Sequence, residues 1–345
     1  MFARPRRMST ALHGDRVRVA LAAEKRNKPS DQKREAEVIE VIERGRSKTV
    51  GTFSTTGRSG WVVPDDQRIA HDVFVLRDNW NGAKTGDKVV VTIDAFDDPK
   101  AAPEGTIVQV LGQADAPGVD VLALAMALGA PSDFPDEVEA EAQAIVPGIT
   151  KEEVARRLDL RDELVFTIDP ADARDFDDAI SLERLKNGHF RLGVHIADVA
   201  HYVQPDSALD VEAYERGTSV YFPERAVHMF PSELSTGLCS LKPGVDRLVQ
   251  SCLMEVDLEG NVARYEFHDG IINSDARMTY TDVNAILADR DPMVMDRYRD
   301  LIHKFVLMHE LFEILNDRRQ KRGSIDFDLK APKLIFDDHG AVESI

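Results

Sequence analysis

The sequence predicts a multi-domain chain in which small all-β barrels come first and an α+β domain follows. Three observations predict it. A turn-and-strand pattern occurs twice in the first third: His13-Gly14-Asp15-Arg16-Val17-Arg18-Val19-Ala20-Leu21 is echoed by Thr85-Gly86-Asp87-Lys88-Val89-Val90-Val91-Thr92-Ile93. After each echo come a polar gap and a second β-branched run, at 36–42 and 105–111. Farther on, capping signals and helical spacing are interleaved with strand-like runs.

Too little chain precedes His13 to supply opening strands, so residues 1–47 read as a partial first barrel with a connector. Residues 48–112 read as a whole second barrel. Its segments Val50–Phe53, Gly60–Val63 and Asp72–Val75 alternate as half-buried strands do. Phe53, Trp61 and Phe74 are candidates for stacking on nucleobases, with a place in the barrel core as the plain alternative for each. Residues 113–149 read as a linker and helix. Ala, Asp, Pro and Gly fill 113–119, and a helix is expected over 135–145. Thr150, with Glu153 three residues on and Pro147-Gly148 before it, is a capping box that opens the next helix. The last domain covers 150–345. Asn187-Gly188 marks a tight hairpin between 180–185 and 190–196. Tyr298, Leu301, Ile302, Phe305, Met308, Phe312 and Leu315 form a helical stripe expected in the core. That helix closes on Arg318-Arg319-Gln320-Lys321-Arg322-Gly323, basic residues and then a glycine stop.

Composition limits the function classes. With 345 residues, 30% charged and 43% hydrophobic, the chain is expected to build proper cores in water. No apolar run approaches a membrane span, and the basic start lacks the apolar stretch of a secretory signal. Cys239 and Cys252 sit in apolar-leaning segments and read as free thiols, which favours the cytoplasm. Net charge is −18, yet residues 1–50 carry 13 Lys and Arg against 7 Asp and Glu. A basic front on an acidic body fits a nucleic-acid grip ahead of a metal site, and equally a solvated surface with no partner.

The strongest local signal is Thr167–Ser181, TIDPADARDFDDAIS, with five aspartates between two apolar runs. Carboxylates at this density repel unless a cation sits among them. Oxygen ligands without neighbouring His or Cys suit Mg²⁺ or Mn²⁺ rather than zinc. A solvated acidic loop is the plain alternative, and the EF-hand pattern fails for want of its glycine and closing glutamate. On an extended backbone Asp177 and Asp178 point to opposite faces, so one metal centre cannot take both unless the chain kinks there or a second ion is bound. His195, His201 and His228 read as structural.

Several stretches together resemble the ribonuclease II family. They are Asp159–Asp162 through Ser181, Val194-His195-Ile196-Ala197-Asp198-Val199, Gly217–Pro223, Gly237–Leu241 with Asp246-Arg247-Leu248, Ala276–Tyr280 and Arg322–Phe327. Upstream, Val63–Asp66, Arg68-Ile69 and Asp72–Val75 are similar to a cold-shock barrel of the same family. The resemblance implies cold-shock/OB-fold barrels followed by an α+β RNB catalytic domain that is incomplete here. The family's domain continues past Ile345, through an arginine at the scissile phosphate and a C-terminal RNA-binding barrel, so the chain reads as an internal fragment.

What the resemblance implies is processive 3′→5′ hydrolysis of RNA to nucleoside 5′-monophosphates with two Mg²⁺ ions, Mn²⁺ being a possible substitute. It makes Asp169, Asp175, Asp177 and Asp178 the metal-binding catalytic carboxylates and leaves Asp172 out. Tyr221 matches the tyrosine that stacks on a base near the 3′ end, and Arg277 and Tyr280 fall near the RNA channel. Leu329-Lys330-Ala331-Pro332 departs from the family, where many relatives have a proline and an acid. The expected partner is single-stranded RNA, or RNA with a 3′ overhang, met by a monomer. Two other readings stand beside this one: an RNA-binding fragment without turnover, and a catalytically dead relative, against which the intact aspartate set argues.

Overall fold

A computed structural model describes residues 2–3, 8–21, 35–45, 47–130, 133–223, 225–327, 334–337 and 342–344. The Leu329–Pro332 departure and much of the basic N-terminus lie outside them. The chain divides into two compact units, one of residues 1–133, 221–227 and 332–345, the other of 134–220 and 228–331.

In the first unit, β1 (Phe2–Ala3), β2 (Arg16–Leu21) and β3 (Glu35–Glu43) make a three-stranded sheet in the order β1-β3-β2. Next comes a closed barrel of β4 (Lys48–Thr56), β5 (Ser59–Pro64), β6 (Val73–Leu76), β7 (Asp87–Ala95) and β8 (Glu104–Gln113), paired in the order β4-β5-β6-β8-β7. Closure leaves no free edge. Alternation on each strand sends Phe53, Val62, Val73, Val75, Val89, Val91 and Ile107 inward. Gly60 is obligatory in this wall, because a Cβ there would meet Trp80 Nε1 at 2.4 Å. After the barrel, α1 (Val119–Ala127) packs Ala123 on Val50 and Val90, with Leu111 and Met126 beside them. The turn-rich composition of 113–119 hides this helix from a sequence reading, but the run Val-Asp-Val-Leu-Ala-Leu-Ala-Met-Ala has the propensity to form it.

The second unit opens with α2 (Asp136–Ala144) and α3 (Lys151–Arg156). Thr150 caps α3, accepting the Glu153 N–H at 3.1 Å. A seven-stranded sheet follows, in the order β17-β10-β11-β12-β15-β16-β9. Its strands are β9 (Leu158–Asp159), β10 (Val165–Asp169), β11 (Asp178–Arg184), β12 (Phe190–Ala197), β15 (Asp246–Val256), β16 (Val262–Asn273) and β17 (Ala276–Thr279). The β11–β12 hairpin turns through Gly188 at φ 86°, in the left-handed region that glycine tolerates. Short helices α4 (Val199–Tyr202) and α5 (Ala208–Arg216) come after β12, then the small pair β13 (Val220–Tyr221) and β14 (Ala226–Val227). After the sheet the chain runs through α6 (Tyr280–Asn284), α7 (Pro292–Arg297) and α8 (Ile302–Lys321), while the later pair β18 (Ile335–Phe336) and β19 (Val342–Ser344) belongs to the first unit.

Helix α8 covers one face of the sheet, with Phe305 against Phe166 at 5.0 Å between ring centroids. The expected stripe holds through Met308 and then fails. Leu311 and Ile314 join the core, while Phe312 and Leu315 are exposed. Both pairs satisfy helical spacing, and the neighbouring Leu182, Phe190 and Val256 choose between them. Three basic residues at the end of α8 have partners within the chain. Arg318 donates to Gly260 O, Arg319 pairs with Asp326 at 2.6 Å and Lys321 with Asp317 at 2.6 Å. Both cysteines are free thiols. No described helix is long and apolar enough to cross a membrane.

Candidate active site

The aspartate loop connects two adjacent strands of the second unit. Asp169 is the last residue of β10 and Asp178 the first of β11, and these strands pair antiparallel through Val165↔Ser181 and Phe166↔Ile180. On the other side β10 pairs parallel with β17, which sets Asp169 opposite Thr279. Val165 and Phe166 are fully buried in separate cores on the two faces of the sheet, which fixes the strand that delivers Asp169. The loop has its own anchor. Phe176 inserts into the core with Ala179, Leu234 and Leu241, which keeps its neighbours Asp175, half-buried, and Asp177, exposed, out of that core. Alternation on β11 puts Asp178 on the face of Ile180, opposite Ala179. Arg277 braces the start of the loop, donating from Nη2 to Pro170 O at 2.8 Å and Ala171 O at 2.6 Å. Its guanidinium lies 5.5 Å from the Phe176 ring centre.

Asp169 and Asp177 feel the charges of the neighbouring acids. Burial raises the pKa of Asp169 above the ordinary aspartate value, and the charges of Asp178 and Asp175 add to the rise. Thr167 and Arg277 oppose it, although the Thr167 hydroxyl makes no hydrogen bond of good geometry. Asp177 reaches solvent on one side. Protein crowding on the other raises its pKa, and Asp175, Asp178 and Asp169 raise it further. His228 works against that shift, with Nδ1 standing 3.9 Å from Asp175 Oδ2. His228 therefore belongs to the electrostatics of the loop, whereas its sequence context marked it as merely structural.

Asp169 Oδ2 is buried without a hydrogen-bond partner, an arrangement that costs free energy until a cation or donor arrives. Hard anionic oxygens that repel one another suit a divalent cation, so the donor chemistry fits one. The expected metal nest is not a finished cage: among the described residues, no three His, Cys, Asp or Glu side chains stand ready to hold an ion together.

The remaining candidates lie on other elements. Tyr221 is exposed on β13 and belongs to the first unit, while the aspartates belong to the second. Tyr280 opens α6 and lines a cavity of about 320 Å³ with Val283, Leu287 and His309. Phe53 is a correction: it is fully buried in the barrel, edge-on to Trp80 at 5.3 Å, and has no face for a base. It sits opposite inward Val62, so the strand repeat sends it inside. Trp61 and Phe74 are cross-strand partners on the other face of the same strands, half-buried, with ring centres 5.1 Å apart.

His195 is structural, as its context suggested. It is fully buried, with Nδ1 2.8 Å from Ser251 Oγ and Nε2 3.1 Å from Ser181 Oγ. Burial pushes its pKa down to about 4. Ser181 donates onward to Glu163 at 3.2 Å, which leaves the Ser181 oxygen to accept from Nε2–H and so sets the tautomer.

Comparison with known proteins places these features in a family. The RNB domain matches residues 157–345 and a cold shock domain matches 61–135. The chain is 44% identical to ribonuclease R of Thermotoga maritima over 339 residues, covering 97% of this chain and 47% of that protein. It is 40% identical to ribonuclease R of Acidithiobacillus ferrooxidans, covering 95% of this chain and 74% of that protein. The structure of Mycoplasma genitalium RNase R in complex with ribose-methylated single-stranded RNA superposes with a TM-score of 0.83 at 30% identity, covering 96% of this chain and 51% of that one. The chain thus spans about half the length of several relatives it matches. By the RNB match over more than half its length, by ribonuclease R relatives along nearly all of it and by the shared fold, this chain belongs to the RNB-domain family.

Proposed function

We propose that this chain carries the metal-binding half of a processive 3′→5′ exoribonuclease that hydrolyses RNA to nucleoside 5′-monophosphates. The observation that carries this reading is the loop itself: mutually repelling carboxylates on adjacent strand ends, with one buried oxygen lacking a partner. Asp169, Asp175, Asp177 and Asp178 would hold Mg²⁺, or Mn²⁺ in its place. A divalent pair held there would supply water activation and charge compensation at the leaving 3′-oxygen. The chain's own residues do the rest. Phe176 and Arg277 hold the loop in shape, and His228 places an imidazole beside Asp175.

Labour divides along the chain in this proposal. The barrel at 48–112 grips single-stranded RNA or a 3′ overhang, with Trp61 and Phe74 stacking on bases. Residues 150–345 cut, Tyr221 stacks on a base near the 3′ end, and the exposed ring of Tyr280 offers a further contact along the strand. A second reading, RNA binding without turnover, is favoured by one observation: no ready metal cage exists among the described residues.

One experiment separates them. The protein and its Asp177→Asn variant are incubated with 5′-labelled single-stranded RNA and Mg²⁺, and products are resolved by length. Shortening from the 3′ end to a small limit product is expected. It should fall by about 100-fold or more in the variant, a loss on the scale of one transition-state charge contact, and vanish with EDTA. RNA retained but never shortened would leave only the binding reading.

A further inference from the structure

We propose that Ser240 is a positioning residue for the aspartate loop, backed by Arg247; this rests on the reading that Asp175 and Asp177 serve a metal-dependent nuclease. Residues 170–177 form no helix or strand, so their backbone must be held from outside. Ser240 is fully buried and does this with one hydroxyl. Its Oγ donates to Arg174 O at 2.8 Å and accepts the Phe176 N–H at 3.1 Å. The two bonds straddle Asp175. The next residue completes the grip, because Leu241 N–H donates to Phe176 O at 2.9 Å. Both backbone groups of Phe176 are thereby fixed, and the Cα positions of Asp175 and Asp177 with them.

The clamp is itself supported. Arg247 Nε donates to Ser240 O at 2.7 Å, and Nη2 donates to Gly237 O at 3.0 Å. Its hydrogen bonds go to main-chain carbonyls, and burial lowers the guanidinium's pKa. Holding a cation this way is costly. These bonds tie Gly237 to Ser240 and hold the segment that presents the Ser240 hydroxyl. A hydroxyl serving merely to fill hydrogen bonds would make the same contacts, so the test must read the aspartates and not stability alone.

The test compares this chain with its Ser240→Ala and Ser251→Ala variants. Ser251 is a comparably buried serine that bonds His195 and not the loop, so its replacement controls for general destabilisation. Mn²⁺ binding without RNA is measured from the electron paramagnetic resonance of the free ion, and amide exchange is followed across 174–178. Ser240→Ala is expected to weaken Mn²⁺ binding about tenfold, the scale of one net hydrogen bond, and to speed exchange at Phe176. Ser251→Ala should leave both at wild-type values. Equal Mn²⁺ affinity in Ser240→Ala, or an equal loss in Ser251→Ala, overturns the proposal. Should the wild type bind no Mn²⁺, the metal reading falls, and unchanged exchange in Ser240→Ala would then overturn the clamp as well.

Discussion

Asp177 illustrates how one crowded acidic side chain can oppose folding. Its pKa is raised in the folded chain, so the native state holds this proton more tightly than the unfolded state does. Native stability therefore falls as pH rises through the ordinary aspartate value of 3.8, and the full cost is present above the raised folded pKa. Asp177→Asn removes that cost. Thermal melts without divalent ions should show the variant melting higher than wild type at pH 7, with the gap closing as pH falls below the ordinary value. Adding Mg²⁺ should stabilise the wild type more than the variant. A lower melting point for Asp177→Asn at pH 7 would mean that Asp177 makes a stabilising contact instead. At this scale the sequence named the acids, because their density is visible in any reading. It did not reveal Ser240, Arg247 or His228, whose roles arise from folding that brings distant stretches of chain against the loop.

At the scale of elements, the barrel separates residues that spacing alone leaves equal. The two-residue repeat tells which side chains share a face, but barrel closure decides which face is inside. Phe53→Ala should therefore cost about 3–5 kcal/mol and melt the barrel, as a buried aromatic truncation does. Trp61→Ala should leave the melting point nearly unchanged and weaken single-stranded RNA binding by about 1–3 kcal/mol, the worth of one stacked base. Calorimetry and fluorescence-anisotropy titration read the two effects separately; an intact RNA affinity in Trp61→Ala would remove that ring from the binding face. Helix α8 teaches the same lesson at another period. The core selected Leu311 and Ile314 over Phe312 and Leu315, although both pairs lie within reach of the stripe.

Across the whole molecule, charge is unevenly spread, and the structure tempers what that implies. Among the N-terminal arginines, Arg18 pairs with Glu40 at 2.9 Å and Arg44 with Asp15 at 2.7 Å, which reduces the positive charge offered to phosphates. RNA affinity should still fall with salt. Deleting residues 1–47 should flatten the slope of log affinity against log salt by about 0.7 for each phosphate that the segment had neutralised. An unchanged slope would show that this segment does not grip RNA.

Local spacing and turn chemistry were enough to set the order of barrel and α+β domain, the strands that bracket the aspartates, the cap at Thr150 and the hairpin at Asn187-Gly188. Each of these acts over a few residues, so a short window of sequence holds all that it needs. Three-dimensional packing was required to make Phe53 core, to seat α1 on the barrel and to let Ser240 and Arg277 hold the loop from opposite ends. Those outcomes depend on which distant surfaces meet, and burial and hydrogen-bond satisfaction are settled only when they do.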